Sequence, residues 1–542
     1  MDLTSLLTTC VPSTFMSNLQ VFGTQILTVE ALLVTNFSAS VPGEFRFTQP
    51  SISYQNATFC NVTVTYTHPG QGDSVHAEAW LPVGNWNKRL LAVGGAAWVA
   101  GRSPISYETM KGALGDGYAT ITNDAGVSGE IHRDLDWALV SPGNVNLYKL
   151  NNFGSVSINE QSIIGKSLIR SFYREGPSFS YWSGCSTGGR QGLMAAQRYP
   201  RAFDGISVGA PALYMPELLA GVQWPQQVMN VLGQYPYSCE LDALTAAAIA
   251  ACDNLDGITD GIITNATACL STSFNPFHLV GTTIKNCTTT GTPVQISLAA
   301  AIVANSTWHG PITPSGQQIH PGLSPSVDLT GNDPSSGGQE GQAGTNCTMT
   351  ANGGVCTGIP NTIAAPWLRL FIAKDAQFNI DNLTHSEYFR LIHAGRQEYS
   401  SLLSTDDADL TEFRGAGGKI ISFHGLNDQA IPAAGTEKYY RAVGEFMGGH
   451  KEVKGFFRHY EVPGLGHCFG GRSGSPTGLF ELLKKWVEEE GKVPEESPVQ
   501  VTGLDGRVQR RVICPWPQRV RLKEGCKDLT DEGCWGCVGA DA

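Results

Sequence analysis

A chain of 542 residues with 41% apolar content can bury a large core, and at roughly 100–200 residues per domain the length allows two or three folding units. Only 15% of residues are Asp, Glu, Lys or Arg, against roughly 25% in an average globular protein, so Ser, Thr, Asn, Gln and Gly must carry the polar surface. A net charge of −12 argues against a nucleic-acid partner, which needs a basic patch. It equally offers no polybasic surface for anionic lipid, and no apolar run reaches the roughly 18 residues of a membrane span.

Fourteen cysteines, an even and high count, suggest an oxidising compartment. Asn-x-Ser/Thr sequons agree, at Asn36, Asn56, Asn61, Asn265, Asn286, Asn305, Asn346 and Asn382. Together they predict a glycosylated, secreted protein. The opening MDLTSLLTTC lacks the basic and apolar regions of a signal peptide. Met1 is therefore read as an introduced start, with the native leader removed.

No internal repeat of fixed period stands out. In chain order, RLLAVGG (89–95), YATITND (118–124), FSYWSG (179–184) and FDGISVGAP (203–211) read as buried parallel strands. SINEQSIIGKSLIRSFY (157–173) and RQGLMAAQRYP (190–200) read as helices between them. The alternation predicts a parallel α/β sheet. From about 214 to 405 the chain turns to Gly, Thr, Ser, Asn and Cys, with helical character at 241–252 and 361–373. Residues 310–360 have the composition of a lid or binding loop. Strand character returns at KIISFHG (419–425) and FRHYEVPG (457–464), followed by the helix FELLKKWVEEE (480–490). The expected organisation is one discontinuous catalytic domain (1–213 and 406–542) interrupted by a lid domain (214–405), with a cysteine-bearing tail from 500 wrapping back over the surface.

Gly184-Cys185-Ser186-Thr187-Gly188 matches G-x-S-x-G between a predicted strand and a predicted helix, the context that a nucleophile elbow requires. Glycines let the backbone crowd at the turn, and the helix N-terminus aims N–H groups at developing oxyanion charge. The alternative is an ordinary Gly-rich turn, which the flanking elements argue against. An acid and a base should follow in the order Ser, Asp/Glu, His. Asp428, in HGLNDQAIP, follows a strand, and His467, in PGLGHCFGG, lies in a Gly-rich loop before the last long helix. His424 and His459 are rival bases, with His424 read as packing or hydrogen-bonding at its strand end. Asp406 and Asp407 are rival acids with no strand before them.

Cys185 precedes Ser186 and Cys468 follows His467. If Ser and His touch, their neighbours come within the roughly 4.4–6.8 Å Cα separation of a disulfide, which would staple the base loop to the nucleophile turn. A Cys185 thiolate nucleophile is the poorer reading in an oxidising compartment.

The Cys-Ser of GCSTGG, the Asp of HGLND and the His-Cys of GHC resemble the Cys-Ser–Asp–His-Cys arrangement of the tannase and feruloyl esterase family, over roughly residues 55–540. The resemblance implies an α/β-hydrolase fold with a large inserted lid, a Ser186–His467–Asp428 triad and a Cys185–Cys468 bond. It also implies an oxyanion hole formed by the N–H of Thr187 and one from the loop LLAVGGAAWVAG (90–101), assigned to Gly95, with Gly94 and Ala96 as alternatives. Ala96, Ala97 and Trp98 depart from the longer glycine run usual in the family.

CDNLDGITDGII (252–263) sets Asp253, Asp256 and Asp260 among small residues, a donor set for a hard cation, Ca²⁺ above all. Its spacing is not that of an EF-hand, and composition alone leaves an acidic solvated turn as the alternative. The resemblance implies a structural Ca²⁺ in the lid, held by those three Asp side chains and the carbonyls of Ile258 and Ile262. Cys252 and Cys269 bracket the loop. Cys10–Cys60, Cys347–Cys356 and Cys514–Cys537 are further expected pairs, with Cys239–Cys287 and Cys526–Cys534 by elimination; Cys534-x-x-Cys537 is read as disulfide-bonded rather than as a redox or zinc motif.

The expected function is a secreted serine carboxylic-ester hydrolase, without an organic cofactor, acting on hydroxycinnamic (feruloyl-type) or other aromatic esters, including those on plant polysaccharides or polyphenols. Tannase-type galloyl esterase is the alternative. Trp98, Trp224, Trp308 and Trp367 are candidate aromatic walls but are read as packed. Two other classes are a catalytically dead binding protein, which an intact Ser, Asp and His oppose, and a Ca²⁺-dependent adhesion protein without esterase activity.

Overall fold

Continuous apolar runs become strands covered on both faces. Leu90, Leu91, Ala92 and Val93 are all buried, as are Ile420, Ile421 and Phe423, the pattern of a parallel sheet under helices. In the computed structural model, which describes residues 3–127, 135–350, 353–489, 491–503 and 506–539, these runs join one nine-stranded sheet. Met1 lies outside the described residues.

The sheet strands are β1 (Gln25–Val41), β2 (Ile52–Thr67), β3 (Val75–Pro82), β4 (Arg89–Val93), β5 (Ala119–Asn123), β6 (Phe179–Cys185), β7 (Gly205–Gly209), β8 (Lys419–Gly425) and β9 (Phe457–Val462). Their order is β1-β2-β3-β5-β4-β6-β7-β8-β9. From β5 to β9 every pairing is parallel. The first three strands extend the sheet antiparallel. Helices Ser157–Tyr173 and Thr187–Arg198 connect the central strands, and Leu479–Glu488 follows β9. The crossover from β4 out to β5 and back to β6 makes the switch in strand order beside which open α/β sheets place their sites.

Between β7 and β8 none of the described residues joins this sheet. The intervening chain folds around helices Met215–Leu232, Ser238–Cys252, Leu298–His309 and His385–Leu403. It has its own core of Leu218, Leu241, Val303, Trp367 and Tyr388, to which Trp98 and Phe153 of the sheet-bearing segment also belong. Residues 310–360 are largely irregular apart from the hairpin Thr345–Thr350/Gly353–Gly358. The predicted helix at 361–373 is a short turn, Ala364–Pro366, continued as a π-helix over Trp367–Ile372.

The tail forms the hairpins Ser497–Thr502/Val508–Ile513 and Arg519–Leu522/Trp535–Val538. It packs inward: Val499, Val501 and Ile513 join Phe423, Tyr460 and Phe480 in one cluster. Seven disulfides connect Cys10–Cys60, Cys185–Cys468, Cys239–Cys287, Cys252–Cys269, Cys347–Cys356, Cys514–Cys537 and Cys526–Cys534.

Candidate active site

Strand β6 ends at Cys185 and the helix begins at Thr187, leaving Ser186 alone to make the turn. Ser186 adopts φ 61° and ψ −122°, a conformation costing on the order of 1–3 kcal/mol for a residue with a Cβ. Close packing holds it there. A Cβ on Gly184 would lie 2.6 Å from the Gly188 carbonyl, and one on Gly188 would lie 3.0 Å from Gly95 O. Ser186 N–H donates to Gly209 O at 3.0 Å, and its carbonyl accepts the N–H groups of Arg190 and Ala212. The backbone is thus pinned between two parallel strands and the helix, while the residue stays partly exposed.

Asp428 lies just beyond β8, and His467 lies on the loop after β9. His467 Nδ1 is 2.8 Å from Asp428 Oδ2. Asp428 is 2% exposed, and its Oδ1 accepts the N–H groups of Ala430 (2.9 Å) and Ile431 (2.7 Å). Burial alone would raise its pKa, but the charge of His467 and hydrogen bonds from His424 and His467 hold the carboxyl well below the usual range. These contacts favour the ionised form of Asp428. The Cys185–Cys468 disulfide, with Cα atoms 6.0 Å apart, brings the loop of His467 against the turn of Ser186. Among the described residues no hydrogen bond joins Ser186 Oγ to His467; such contacts often tighten only with substrate bound.

Two residues that the sequence reading passed over steady the base loop. Gln429 Oε1 accepts His467 N–H at 3.3 Å, and Gln339, from the insertion, donates to His467 O at 2.9 Å. Gln429 was open to inference as the neighbour of Asp428; Gln339 carries no local signature. The rival base His459 and the rival acid Asp406 sit elsewhere. His459 is fully buried against Ser422 Oγ (2.9 Å), and desolvation pushes its pKa down to about 3. Asp406 interacts with Asp407, Lys438 and Arg396 rather than with a histidine. His424 contacts Asp428 directly.

The oxyanion assignment needs one correction. The Gly95 N–H donates to Gln191 Oε1 at 3.0 Å, and Ala96 N–H donates to Val99 O at 3.1 Å, so neither is available to substrate. Ala97 is the loop residue held against the elbow, its carbonyl accepting the Thr187 hydroxyl at 2.5 Å. Among the described residues the N–H groups of Ala97 and Thr187 take no hydrogen-bond acceptor. The glycine pattern pointed to the loop, but not to the Gln191 side chain that occupies its N–H.

In the acidic loop, Asp253 is buried and accepts N–H groups from Asp260, Gly261 and Ile262. Asp256 takes Ile258 N–H and the Thr264 hydroxyl. Asp260 pairs with Arg511 of the tail at 2.5 Å. Desolvation raises the pKa of Asp256 and of Asp260, and charge repulsion within the trio adds to it. The donor chemistry suits a hard cation, but as folded the carboxylates are committed to amides and a guanidinium. Among the described residues no three His, Cys, Asp or Glu side chains are grouped to hold a metal ion.

Trp98, Trp224, Trp308 and Trp367 are at most 7% exposed, and Trp98 stacks on Trp367 and Phe371. They are core residues. Of the sequons, Asn36, Asn56, Asn286, Asn346 and Asn382 are exposed, and Asn265 and Asn305 are half-buried. Asn61 does not fit a glycan: its amide donates to Glu78 at 3.2 Å, and its carbonyl oxygen is buried.

A parallel α/β sheet with a strained serine at a strand–helix turn and an Asp-paired histidine on a later loop defines an α/β-hydrolase. Residues 60–532 match the family model "Tannase and feruloyl esterase". A probable feruloyl esterase of Arthroderma benhamiae is 36% identical over 490 residues, 89% of this chain and 87% of the relative. The tannase of Aspergillus oryzae is 26% identical, with 85% and 83% covered. Among solved structures, a tannin acyl hydrolase from Aspergillus niger superposes with a TM-score of 0.83 at 27% identity, covering 99% of this chain and 96% of that one. The chain belongs to the tannase and feruloyl esterase family.

Proposed function

We propose that the protein is a secreted serine esterase that cleaves esters of hydroxycinnamic, feruloyl-type acids through Ser186, His467 and Asp428. The observation that carries the reading is the 2.8 Å His467–Asp428 contact on a loop disulfide-linked to the nucleophile turn. His467 Nε2 takes the Ser186 proton as Oγ attacks the ester carbonyl. The N–H groups of Thr187 and Ala97 hold the oxyanion, and His467 then protonates the departing alkoxide. Water, activated by the same imidazole, hydrolyses the acyl-enzyme. Asp428 fixes the imidazole tautomer and stabilises its charged form.

A feruloyl substrate is favoured by the 36% identical relative, named as a probable feruloyl esterase. The galloyl alternative is favoured by the superposition on a tannin acyl hydrolase. Initial rates on methyl ferulate, methyl p-coumarate and methyl gallate separate the two. The proposal predicts kcat/KM for ferulate at least tenfold above gallate, and the reverse order makes the protein a tannase. Seven disulfides and exposed sequons support secretion. The 214–405 segment is proposed as the lid, with structural Ca²⁺ at Asp253, Asp256, Asp260, Ile258 and Ile262. That ion requires Asp260 to exchange Arg511 for the cation. EDTA should then lower Tm, with CaCl₂ restoring it; a Tm unmoved by EDTA removes calcium from the account.

A further inference from the structure

The Asp428 carboxylate is enclosed on every side. Its Oδ1 takes two backbone N–H groups, from Ala430 and Ile431. Its Oδ2 takes two imidazoles, His467 Nδ1 at 2.8 Å and His424 Nε2 at 3.0 Å. His424 ends strand β8 and is fully buried, as is Thr436, whose hydroxyl lies 2.8 Å from His424 Nδ1. His424 Nε2 is also 3.0 Å from Ile431 O. Facing two acceptors, a carboxylate and a carbonyl, Nε2 must carry a proton. In the neutral ring Nδ1 is then the acceptor, and the Thr436 hydroxyl donates to it. The two acceptors thus fix the tautomer that points an N–H at Asp428, and the Thr436 hydroxyl turns to suit it.

We infer that His424 is a positioning residue for ester hydrolysis: its Nε2–H locks the Asp428 Oδ2 that orients His467. This rests on the Ser186–His467–Asp428 reading and extends it. An oxygen that serves two donors has its lone pairs divided between them. With His424 in place, Asp428 cannot rotate about its terminal bond without giving up a charge-assisted hydrogen bond, and each such bond is strong in a buried setting. Without it, two amides still hold Oδ1 but Oδ2 is left to His467 alone, and the direction of His467 is less tightly fixed. His424 is fully buried, and its hydrogen-bond partners are Thr436, Asp428 and Ile431, so its removal should act on turnover and not on binding.

The test compares His424→Gln, His424→Asn and His424→Leu with the intact enzyme on an aryl ester, each alone and in an Asp428→Asn background. Gln extends an amide N–H to about the position of Nε2 and should retain most of kcat. Asn, equally polar but too short to reach Oδ2, should lose about 10- to 100-fold in kcat with KM within twofold, the size expected for a hydrogen bond to a charged group. Leu should match Asn if it folds; if it does not, the Gln–Asn pair decides. In the Asp428→Asn background the Asn and Leu variants should cost nothing further. Equal activity of the Gln and Asn variants, or losses that add fully to that of Asp428→Asn, would overturn the inference while leaving the triad standing. Full activity of Asp428→Asn alone would remove the triad and this inference with it.

Discussion

At the scale of single residues, two clusters of buried charge are solved in the same way. Around Asp428, two imidazoles and two amides surround one carboxylate. Around His68 the roles reverse. The imidazole lies between Asp73 (Nδ1 to Oδ2, 2.5 Å) and Glu160 (Nε2 to Oε1, 2.6 Å), and Tyr66 donates to the same Glu160 carboxylate at 2.7 Å. The hydrogen bond to Glu160 raises the His68 pKa to about 9, with that to Asp73 adding and burial opposing. A folded pKa above the unfolded value of about 6.5 means that the charged histidine stabilises the fold fully below pH ~6.5 and ceases to as pH rises through about 9. The Tm of the native protein should therefore exceed that of His68→Gln most at pH 6, with the gap closing by pH 10. A gap that widens with pH would show that His68 is held neutral.

At the scale of elements, the nucleophile turn is held by packing and the base loop by covalent chemistry. The loop after β9 is glycine-rich and has little secondary structure. Its link to the elbow spans 283 residues of sequence. On loop entropy alone, such a crosslink is worth about 6 kcal/mol of stability, an upper figure because native strain subtracts from it. Cys185→Ser with Cys468→Ser should lower Tm and, at a temperature where the protein stays folded, lower kcat more than it raises KM. An unchanged kcat would mean that the staple serves stability alone.

These elements differ in how much of them the sequence betrays. Strands β4, β6 and β8 are short, mostly apolar segments between turn signals, so local pattern sufficed to find them, and the triad candidates follow strand ends. The long strands β1 and β2 were missed because their faces are mixed and their register shifts near Asn36 and Asn56, both at positive φ. Helix Met215–Leu232 carries an internal Pro225 and is buried nearly all round, which erases the amphipathic period. Gly95 was misassigned because the group that takes its N–H, Gln191, comes from 96 residues away.

At the scale of the whole molecule, insertion and tail meet at an ion pair. Arg511 and Asp260 are 251 residues apart in sequence and both nearly fully buried. The guanidinium also stacks 4.3 Å from the Trp535 ring, so the tail hairpins are clamped to the acidic loop. Removing one partner of a buried pair strands the other charge, typically at a cost of about 3–5 kcal/mol. In EDTA, where Asp260 has only Arg511, Arg511→Met should lower stability by that order in urea unfolding, while Arg511→Met with Asp260→Asn should recover part of it. With CaCl₂ the loss should shrink if the proposed ion takes Asp260; Arg511→Met without effect in EDTA would contradict the clamp.

The chemistry stands or falls on Ser186. Treating the protein with an aryl phosphonate ester should transfer one phosphonyl group to Ser186 Oγ, releasing phenolate in step with loss of esterase activity. Peptide mass spectrometry should place the added mass on the segment YWSGCSTGGR, residues 181–190. The Ser186→Ala variant should take no label and show no hydrolysis above background. Complete inactivation with the mass on any other residue, or undiminished turnover by Ser186→Ala, would contradict the account.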